Sequence, residues 1–586
     1  MQPTREDTIP LRHVVSRSSR EIKTGYQRFV RPVYVYTACY APCRAACPAG
    51  HDIAWALQLA AHGRLDLARH AFREESPFPG VTGRVCYHPC EHACNRGGYD
   101  EAIAIHTLER TLSDLANGDV VTPPPRLYRE SIGVVGAGPA GLTGAYHLAR
   151  MGYPVTVYDA NEHPGGALIY AIPAYRLPRE VVAGEAASLH ALGVAFRCGV
   201  RVGTDLSFAT LREEHAAILL APGLARARPF PVAAPSDPRI EAGLHFLRRA
   251  GAGDTVRLSG EVAVIGGGDV AIDAARTALR LGAGAVILCC PEPREEMPAH
   301  PDEVAAALAE GVQIRHRLAP VGVALTERGV ELELAGVARV RRGDDGAVAI
   351  AVGRGRQTLR VSHLIYAVGQ EADLSFLPRP LGEQARLRVG RWGETELPGV
   401  FAAGDVAGTY NVVNAVGSAK RAAVGIDAYL RGRSLAGVEA QIGIGEGGAI
   451  SMRAYHALRR GEPSPPLNRP IGLQHLNLDY FAPARREVAP EVSPSARVRS
   501  FTEVCLPFTP EEALAEARRC FHCGTCDMCG NCFLFCPDSS VIQLEDWGFT
   551  IDLDHCKGCG VCVEECPRAA MAMVPEGEVA REGASG

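Results

Sequence analysis

Residues 131–159 read SIGVVGAGPAGLTGAYHLARMGYPVTVYD. Ser131 to Val135 is a short apolar strand that runs straight into Gly136-Ala-Gly138-Pro-Ala-Gly141. A helical stretch, Leu142 to Met151, follows, and a second strand, Val155 to Tyr158, ends at Asp159. This is a βαβ dinucleotide fingerprint in its strand–turn–helix context. The first glycine makes the tight turn, the second lets the backbone approach a pyrophosphate, and the third lets helix pack on strand. The helix N-terminus stabilises the phosphate charge. Asp159 stands about 20 residues on, where an acidic side chain binds a ribose.

Two later stretches sharpen the reading. Pro164-Gly165-Gly166 follows the second strand, and Gly399-Val-Phe-Ala-Ala-Gly404-Asp405 stands far downstream. The latter resembles the motif of two-dinucleotide-domain flavoproteins, in which the Asp carboxylate binds the flavin ribityl chain. The pair points to FAD at the first site. A helix around Asn414 to Leu430 is expected to aim its N-terminus at the flavin ring, where its dipole favours an anionic reduced flavin. Between the two halves lies a second fingerprint: strand Val262 to Ile265, Gly266-Gly-Gly268-Asp-Val-Ala271, a helix through Leu281 and a strand Ala285 to Cys290. Ala271 replaces the third glycine at little cost to the helix–strand contact. One unit nested in the other implies a nicotinamide domain inserted into a flavin domain. NADP needs a cation for its 2′-phosphate, whereas NAD wants a carboxylate on the ribose. The second strand ends Cys290-Pro291-Glu292-Pro293-Arg294. Glu292 favours NAD(H) over NADP(H), and Arg294 keeps the phosphate reading open.

Ten of the 20 cysteines fall between Cys520 and Cys566. Cys526-x2-Cys529-x2-Cys532-x3-Cys536-Pro537 precedes Cys556-x2-Cys559-x2-Cys562-x3-Cys566-Pro567. This spacing wraps [4Fe–4S] cubes, with the fourth cysteine of each run crossing to the other cluster. Cys526, Cys529, Cys532 and Cys566 are therefore assigned to one cube, and Cys556, Cys559, Cys562 and Cys536 to its neighbour. Cys520 and Cys523 precede the motif with C-x2-C spacing and fit another metal, a redox pair or quiet packing. Cys198, Cys289, Cys290 and Cys505 read as buried thiols.

The 586 residues, 47% hydrophobic with a net charge of -5, provide for several ordinary cores. Charge is spread along the chain, giving no nucleic-acid footprint. The longest apolar runs are too short to span a bilayer. The first 35 residues are mildly basic without a hydrophobic signal region. These features predict a cytoplasmic protein whose thiols stay reduced or metallated.

Residues 30 to 435 resemble the small subunit of bacterial glutamate synthase and the N-terminal half of dihydropyrimidine dehydrogenase. The matching stretches are Gly83-Arg-Val-Cys86, Val134 to Gly141, Gly165-Gly-Ala-Leu, Ile172-Pro-Ala-Tyr-Arg-Leu-Pro178, Ile265 to Ala271 and Arg294-Glu-Glu-Met-Pro298. NADPH-using relatives carry Tyr-Arg-Arg where this chain has Cys290-Pro291-Glu292, a departure that favours NADH. With its ferredoxin tail the chain is similar to the iron–sulfur flavoprotein that works beside dissimilatory sulfite reductase. It also resembles electron-transfer subunits of 2-oxoacid or aromatic-acid oxidoreductases.

The resemblance implies two N-terminal [4Fe–4S] clusters, one on Cys47, Cys86 and Cys90 with Glu109 as fourth ligand. The other would use Cys39, Cys43 and Cys94, but the family's first cysteine falls at or near Tyr36 here. Three to four clusters are therefore expected. Arg176 is a candidate for lining the flavin face.

The fold expected is α/β, with two Rossmann-like domains preceded by a helical iron–sulfur domain and followed by a ferredoxin-like α+β domain. The boundaries drawn are a flexible arm (1–35), the helical iron–sulfur domain (36–125), the FAD domain (126–240 and 390–435), the NAD(P) domain (241–389), a linker (436–509), the ferredoxin domain (510–576) and a tail (577–586). The function expected is that of an NAD(P)H:acceptor oxidoreductase subunit. It would move electrons between NADH, FAD and iron–sulfur clusters to or from a ferredoxin or a partner such as a sulfite reductase or 2-oxoacid oxidoreductase. An NADPH-using glutamate synthase small subunit and a non-enzymatic electron-wiring scaffold are the alternatives.

Overall fold

The computed structural model describes residues 30–35, 38–115, 123–252, 256–343, 348–379, 381–384, 386–462, 466–544 and 548–575. Residues 1–29 of the expected arm, Tyr36, Pro463 to Pro465 of the expected linker and the 577–586 tail lie outside them. The chain forms two compact units. One gathers residues 121–432 and 490–506; the other gathers 1–120, 433–489 and 507–586.

The dinucleotide unit holds two parallel five-stranded sheets. The first runs in the order 400–402, 217–220, 132–135, 155–159, 195–198. Ile132–Val135 is buried at every position, as a central strand covered on both faces requires. The helix after it, Pro139–Arg150, opens with proline at its first turn, where the missing N–H has no intrahelical partner to lose. The second sheet runs 313–315, 285–289, 261–265, 363–366, 240–242. Its helix, Asp269–Arg280, packs Ala271, Ile272, Ala274, Ala275 and Ala278 onto Val262, Val264, Val286 and Leu288. Beyond it lies an antiparallel meander of 318–326, 329–342 and 348–361.

The passage from first sheet to second is a short antiparallel ribbon, in which Arg226–Ala227 pairs with Gln370–Glu371. The crossing therefore stands at about residues 227 and 370. Ile240–Ala242 is already an edge strand of the second sheet, and Leu374, Leu377, Leu381 and Leu387 pack into the core of the first.

The other unit begins with a strand. Val30–Tyr34 pairs antiparallel with Met571–Pro575, so residues expected in a flexible arm extend the ferredoxin domain. The helical stretch expected from Ile53 to Phe72 divides into Ile53–Ala61 and Leu65–Arg73, with Gly63 in the left-handed region at the break. Residues expected to act as linker pack instead. Ile442, Ile444 and Ile450 are buried, and Ser451 and the Met452 amide bond the Glu75 carboxylate at 2.8 and 2.7 Å. Helix Pro510–Arg519 starts in a capping box. The Glu512 amide donates to Thr509 Oγ1 (3.2 Å) and the Thr509 amide to Glu512 Oε2 (2.8 Å). Short helices Asn531–Leu534 and Val561–Glu564 and the hairpin 541–544/548–551 complete the ferredoxin portion.

Candidate functional site

Three glycine-bearing stretches converge on the mouth of the first sheet. Gly136 sits at φ 101°, and a Cβ there would lie 2.2 Å from the Ala221 carbonyl oxygen. Only glycine makes this turn. A Cβ on Gly138 would meet nothing within 4 Å, which leaves open space over the loop. Gly166 lies against Gly138, and the Gly165 amide donates to the Ala137 carbonyl at 2.8 Å. Gly404 packs on Ala140 and donates to Ser418 Oγ at 3.0 Å. Asp159 Oδ2 accepts from the Ala137 amide at 2.6 Å, and Oδ1 accepts from the Asn161 amide and side chain. The acidic group expected to bind a ribose thus braces the glycine turn. Burial pushes the Asp405 carboxyl up to about 6, against the opposing pull of Arg386.

The helix after this motif runs Val412–Arg431, starting two residues before the expected Asn414. Asn411 caps it, accepting from the Asn414 amide at 3.0 Å. Ser418, on the same helix, ties it to Gly404, a role that no sequence pattern announces.

In the second sheet, a Cβ on Gly267 would lie 2.6 Å from Glu292 Oε2, so this carboxylate lies over the fingerprint loop. Glu292 is buried, and Arg294 beside it is exposed. Gly266 turns at φ 143° under the Ala367 carbonyl, Gly268 has open space beside it, and Ala271 is fully buried in the helix–sheet contact. Arg176 donates to Asp273 at 2.8 and 3.1 Å and pairs with Glu303 at 2.9 Å. Its guanidinium is thus held by carboxylates on and beside the second-fingerprint helix. Burial raises the Asp273 carboxyl, and Arg176 opposes it.

The cysteines gather in the other unit. Cys526, Cys529, Cys532 and Cys566 line one cavity of about 330 Å³, and Cys536, Cys556, Cys559 and Cys562 line another of about 300 Å³. Hydrogen bonds reach several of these sulfurs: Tyr34 Oη to Cys532 (3.3 Å), and the amides of Ser540 to Cys536 (3.2 Å), Gly558 to Cys556 (3.4 Å) and Ala570 to Cys566 (3.3 Å). Cys90 is raised by burial and then by the proximity of Cys47 and Cys86, and Cys86 by burial, Cys47 and Glu109. Glu109 Oε1 also accepts from Thr82 Oγ1 at 2.6 Å and lies 3.3 Å from His51 Nδ1.

A third cavity, of about 340 Å³, is lined by Cys43 and Cys94 together with Cys520 and Cys523. Cys39 is not among its lining residues. It stands on a two-residue strand paired with Arg469–Pro470 and packs among Ile471, Leu476, Phe521 and Ala569. Of the four thiols read as buried, Cys289 and Cys290 are buried, Cys198 is half-buried, and Cys505 is exposed on a bridge to Glu491.

Burial pushes the Cys526 thiol up to about 11 and raises Cys529 and Cys562 as well. Four buried thiols around one void are stable as thiolates only when a cationic group neutralises them. A structural zinc would draw four sulfurs to about 2.3 Å from one point. The C-x2-C-x2-C-x3-C-P spacing of both runs is that of [4Fe–4S] ligands.

Two dinucleotide cradles and thiol-ringed cavities on one chain define an FAD- and iron–sulfur-dependent NAD(P)H oxidoreductase. The chain belongs to the pyridine nucleotide-disulphide oxidoreductase family, whose model matches residues 130–423. Residues 34–120 match the dihydropyrimidine dehydrogenase domain II 4Fe-4S family, and 549–572 match a 4Fe-4S binding domain. Over 533 residues the chain is 35% identical to the NADP(+)-dependent formate dehydrogenase subunit beta of Moorella thermoacetica, covering 82% of this chain and 70% of that one. It is 34% identical over 436 residues to the glutamate synthase [NADPH] small chain of Azospirillum brasilense (68% and 88% covered). It is 33% identical over 402 residues to the NAD-dependent dihydropyrimidine dehydrogenase subunit PreT of Escherichia coli strain K12 (67% and 92% covered). These relatives divide between NADP and NAD. No helix among the described residues is long and apolar enough to cross a membrane.

Proposed function

We propose that this chain is the pyridine-nucleotide-handling subunit of a two-component redox enzyme, exchanging electrons between NADH and a partner oxidoreductase or ferredoxin. The observation that carries the nucleotide preference is Glu292, whose carboxylate lies against Gly267 in the second cradle. That position suits the ribose hydroxyls of NAD and repels a 2′-phosphate. Gly136, Gly138, Gly141 and Gly166, with Asp159, Gly404 and Asp405, would hold FAD. Gly266, Gly268 and Ala271, with Glu292, would hold the nicotinamide nucleotide. Bound flavin supplies hydride exchange and release of electrons one at a time, which clusters then carry singly.

The chain's own residues position and tune. Ser418 and Asn411 fix the helix that starts behind the flavin motif. Tyr34 and the backbone amides at Cys536, Cys556 and Cys566 donate to sulfurs, a lever on cluster potential. Cys47, Cys86, Cys90 and Glu109 are assigned to an N-terminal cluster in which the carboxylate is the harder ligand. No general acid or base is required. The clustering of cysteines at metal-ligand spacing favours a reducing, cytoplasmic setting.

The similarity to a glutamate synthase small chain supports a second reading, NADPH-dependent supply of electrons to a separate large subunit. The ferredoxin tail, with its two thiol-lined cavities, argues against it. Anaerobic titration with NADH and then NADPH, read as bleaching of flavin and cluster absorbance, separates the two. Rapid bleaching by NADH is expected; preference for NADPH refutes the Glu292 assignment, and bleaching by neither refutes the enzymatic reading.

A further inference from the structure

We infer that Cys43, Cys94, Cys520 and Cys523 together hold an iron–sulfur cluster, so that the C-terminal portion completes a centre begun in the N-terminal helical domain. The four sulfurs belong to residues lining one cavity of about 340 Å³. Most of its remaining wall is apolar, with Ala41, Pro42, Ile53, Ala54, Leu57 and Phe521 lining it beside the polar Asn95 and Arg96. Apolar surroundings limit the access of water to a metal, and four thiols give every iron of a cube a sulfur.

The sulfurs are also supplied with donors. Asn95 Nδ2 donates to Cys523 Sγ at 3.3 Å, and the His522 amide to Cys520 Sγ at 3.3 Å. Such N–H···S bonds favour the charged, metal-bound form of a thiol. The same pattern recurs at Cys536, Cys556 and Cys566. On binding, each thiol releases its proton to solvent and its thiolate becomes a ligand to one iron.

The scaffold that brings the two halves together is buried and specific. Arg96, two residues after Cys94, chelates Asp100 at 2.7 and 2.6 Å and donates to the Arg519 carbonyl at 2.6 Å, immediately before Cys520. Arg519 in turn pairs with Glu516 at 2.7 Å, whose Oε1 accepts from the Ala104 amide at 2.8 Å. The helix Pro510–Arg519 is capped at its start by the Thr509–Glu512 box and held at its far end, where Cys520 enters the cavity, by the Arg96 bond to the Arg519 carbonyl. Cys39 is not among the lining residues of this cavity; it packs beside it with Ile471, Leu476, Phe521 and Ala569, against which Cys523 also lies. The centre therefore needs no ligand at position 36 or 39.

The test uses the full-length protein, purified anaerobically with its clusters reconstituted, comparing wild type with Cys520→Ala/Cys523→Ala and with Cys39→Ala. The double variant is expected to lose about four irons per chain and the matching component of the dithionite-reduced EPR spectrum, while Cys39→Ala keeps both. Full iron and an unchanged spectrum in the double variant overturn the assignment, as does loss of a cluster in Cys39→Ala or zinc in place of iron. Should the double variant not fold, Cys523→Ser is read instead. The EPR signal of an oxidised three-iron cluster, or an altered reduced spectrum, supports the assignment, and a wild-type spectrum overturns it. A wild type that takes up no iron at any site refutes the cluster-bearing reading of the whole unit, an outcome distinct from failure at this one centre.

Discussion

Replacing Glu292 by serine tests the nicotinamide assignment at its most exposed point. The side chain is only 4% exposed, and its Oε2 lies where a Cβ on Gly267 would approach to 2.6 Å. A carboxylate so placed, accepting from ribose hydroxyls, contributes about 1.5–3 kcal/mol through charge-assisted hydrogen bonds. At about 1.4 kcal/mol per decade, its loss weakens NADH binding by roughly 10- to 150-fold. For NADPH the sign reverses. Two like charges 4 Å apart at an effective dielectric near 20 repel by about 4 kcal/mol before screening, so removing the carboxylate relieves a penalty. The ratio of NADH to NADPH efficiency should fall by at least about two decades. The assay is the anaerobic reductive half-reaction, with flavin bleaching followed by stopped flow at several concentrations of each nucleotide. The predicted change is in the apparent dissociation constants. Equal loss with both nucleotides would mean that Glu292 merely props the loop. A change below about threefold with NADH would mean that the carboxylate does not face the ribose.

Three further outcomes follow from buried charges and sulfur contacts. Asp405, raised to about 6 by burial, binds its proton more tightly folded than unfolded, so FAD-free stability falls as pH rises from about 4 to 6. Asp405→Asn should raise the melting temperature of FAD-free protein above pH 6, yet lower the FAD retained per chain; unchanged melting at pH 7.5 would refute this. Burial raises the Glu310 carboxyl, but hydrogen bonds from Arg280 (2.6 and 3.0 Å) and Arg276 (2.8 and 3.1 Å) outweigh it and hold it below its ordinary range. Its stabilisation is present above the unfolded carboxylate range and lost as pH falls through the folded value. Glu310→Ala should therefore cost about 3–5 kcal/mol at neutral pH, read by urea unfolding of the nucleotide unit, and much less in acid. Tyr34→Phe removes the 3.3 Å hydroxyl contact to Cys532 and should lower one cluster midpoint in a redox titration without loss of iron.

The nucleotide cradles were legible because their information is local. Strand, turn and helix lie within some thirty residues, and each glycine has its reason at short range. Even there the inserted domain begins and ends at different residues than expected. Ile240 to Ala242 gives no strand signal by itself and becomes a strand only as the edge partner of Leu364 to Tyr366. The stretch 436–509 misled through composition. Its glycines and prolines mask isolated isoleucines that are buried one at a time, without helical or strand periodicity. Residues 30–34 looked like part of a basic arm, yet Val30–Tyr34 is an edge strand, a sheet position that tolerates Pro32. Cys520 and Cys523 stood in plain view. What the sequence withheld was their cavity-mates, since Asn95 and Cys523 are 428 positions apart. Position 36, where the family's ligand was sought, offers tyrosine, and a local spacing rule has no way to search four hundred residues downstream.

That separation bears on how the protein is assembled. The cysteine-bearing unit draws on three stretches, 1–120, 433–489 and 507–586, with residues 121–432 of the dinucleotide unit translated between the first two and its residues 490–506 between the second and third. Its N-terminal helices Ile53–Ala61 and Ile105–Leu115 pack against helix Pro510–Arg519, and Glu91 finds its ion-pair partner only at Arg486 (2.5 Å). A nascent chain that has made residues 1–120 therefore lacks the groups that cover those surfaces, and the helices wait until Arg486 and helix Pro510–Arg519 have been made. Cys47, Cys86, Cys90 and Glu109 all lie within the first stretch, so a cluster there has its full ligand set early. Cys43 and Cys94 do not: on the ligand assignment inferred above, their cluster closes only when Cys520 and Cys523 arrive. The consequence is an order. A chain truncated before Pro507 should carry, at most, the Cys47 cluster in its N-terminal domain, and iron at Cys43 and Cys94 should appear only with the C-terminal portion present. Mutations at the Arg96–Asp100–Arg519 junction should consequently reduce iron content more than they reduce FAD content, since that junction belongs wholly to the cysteine-bearing unit.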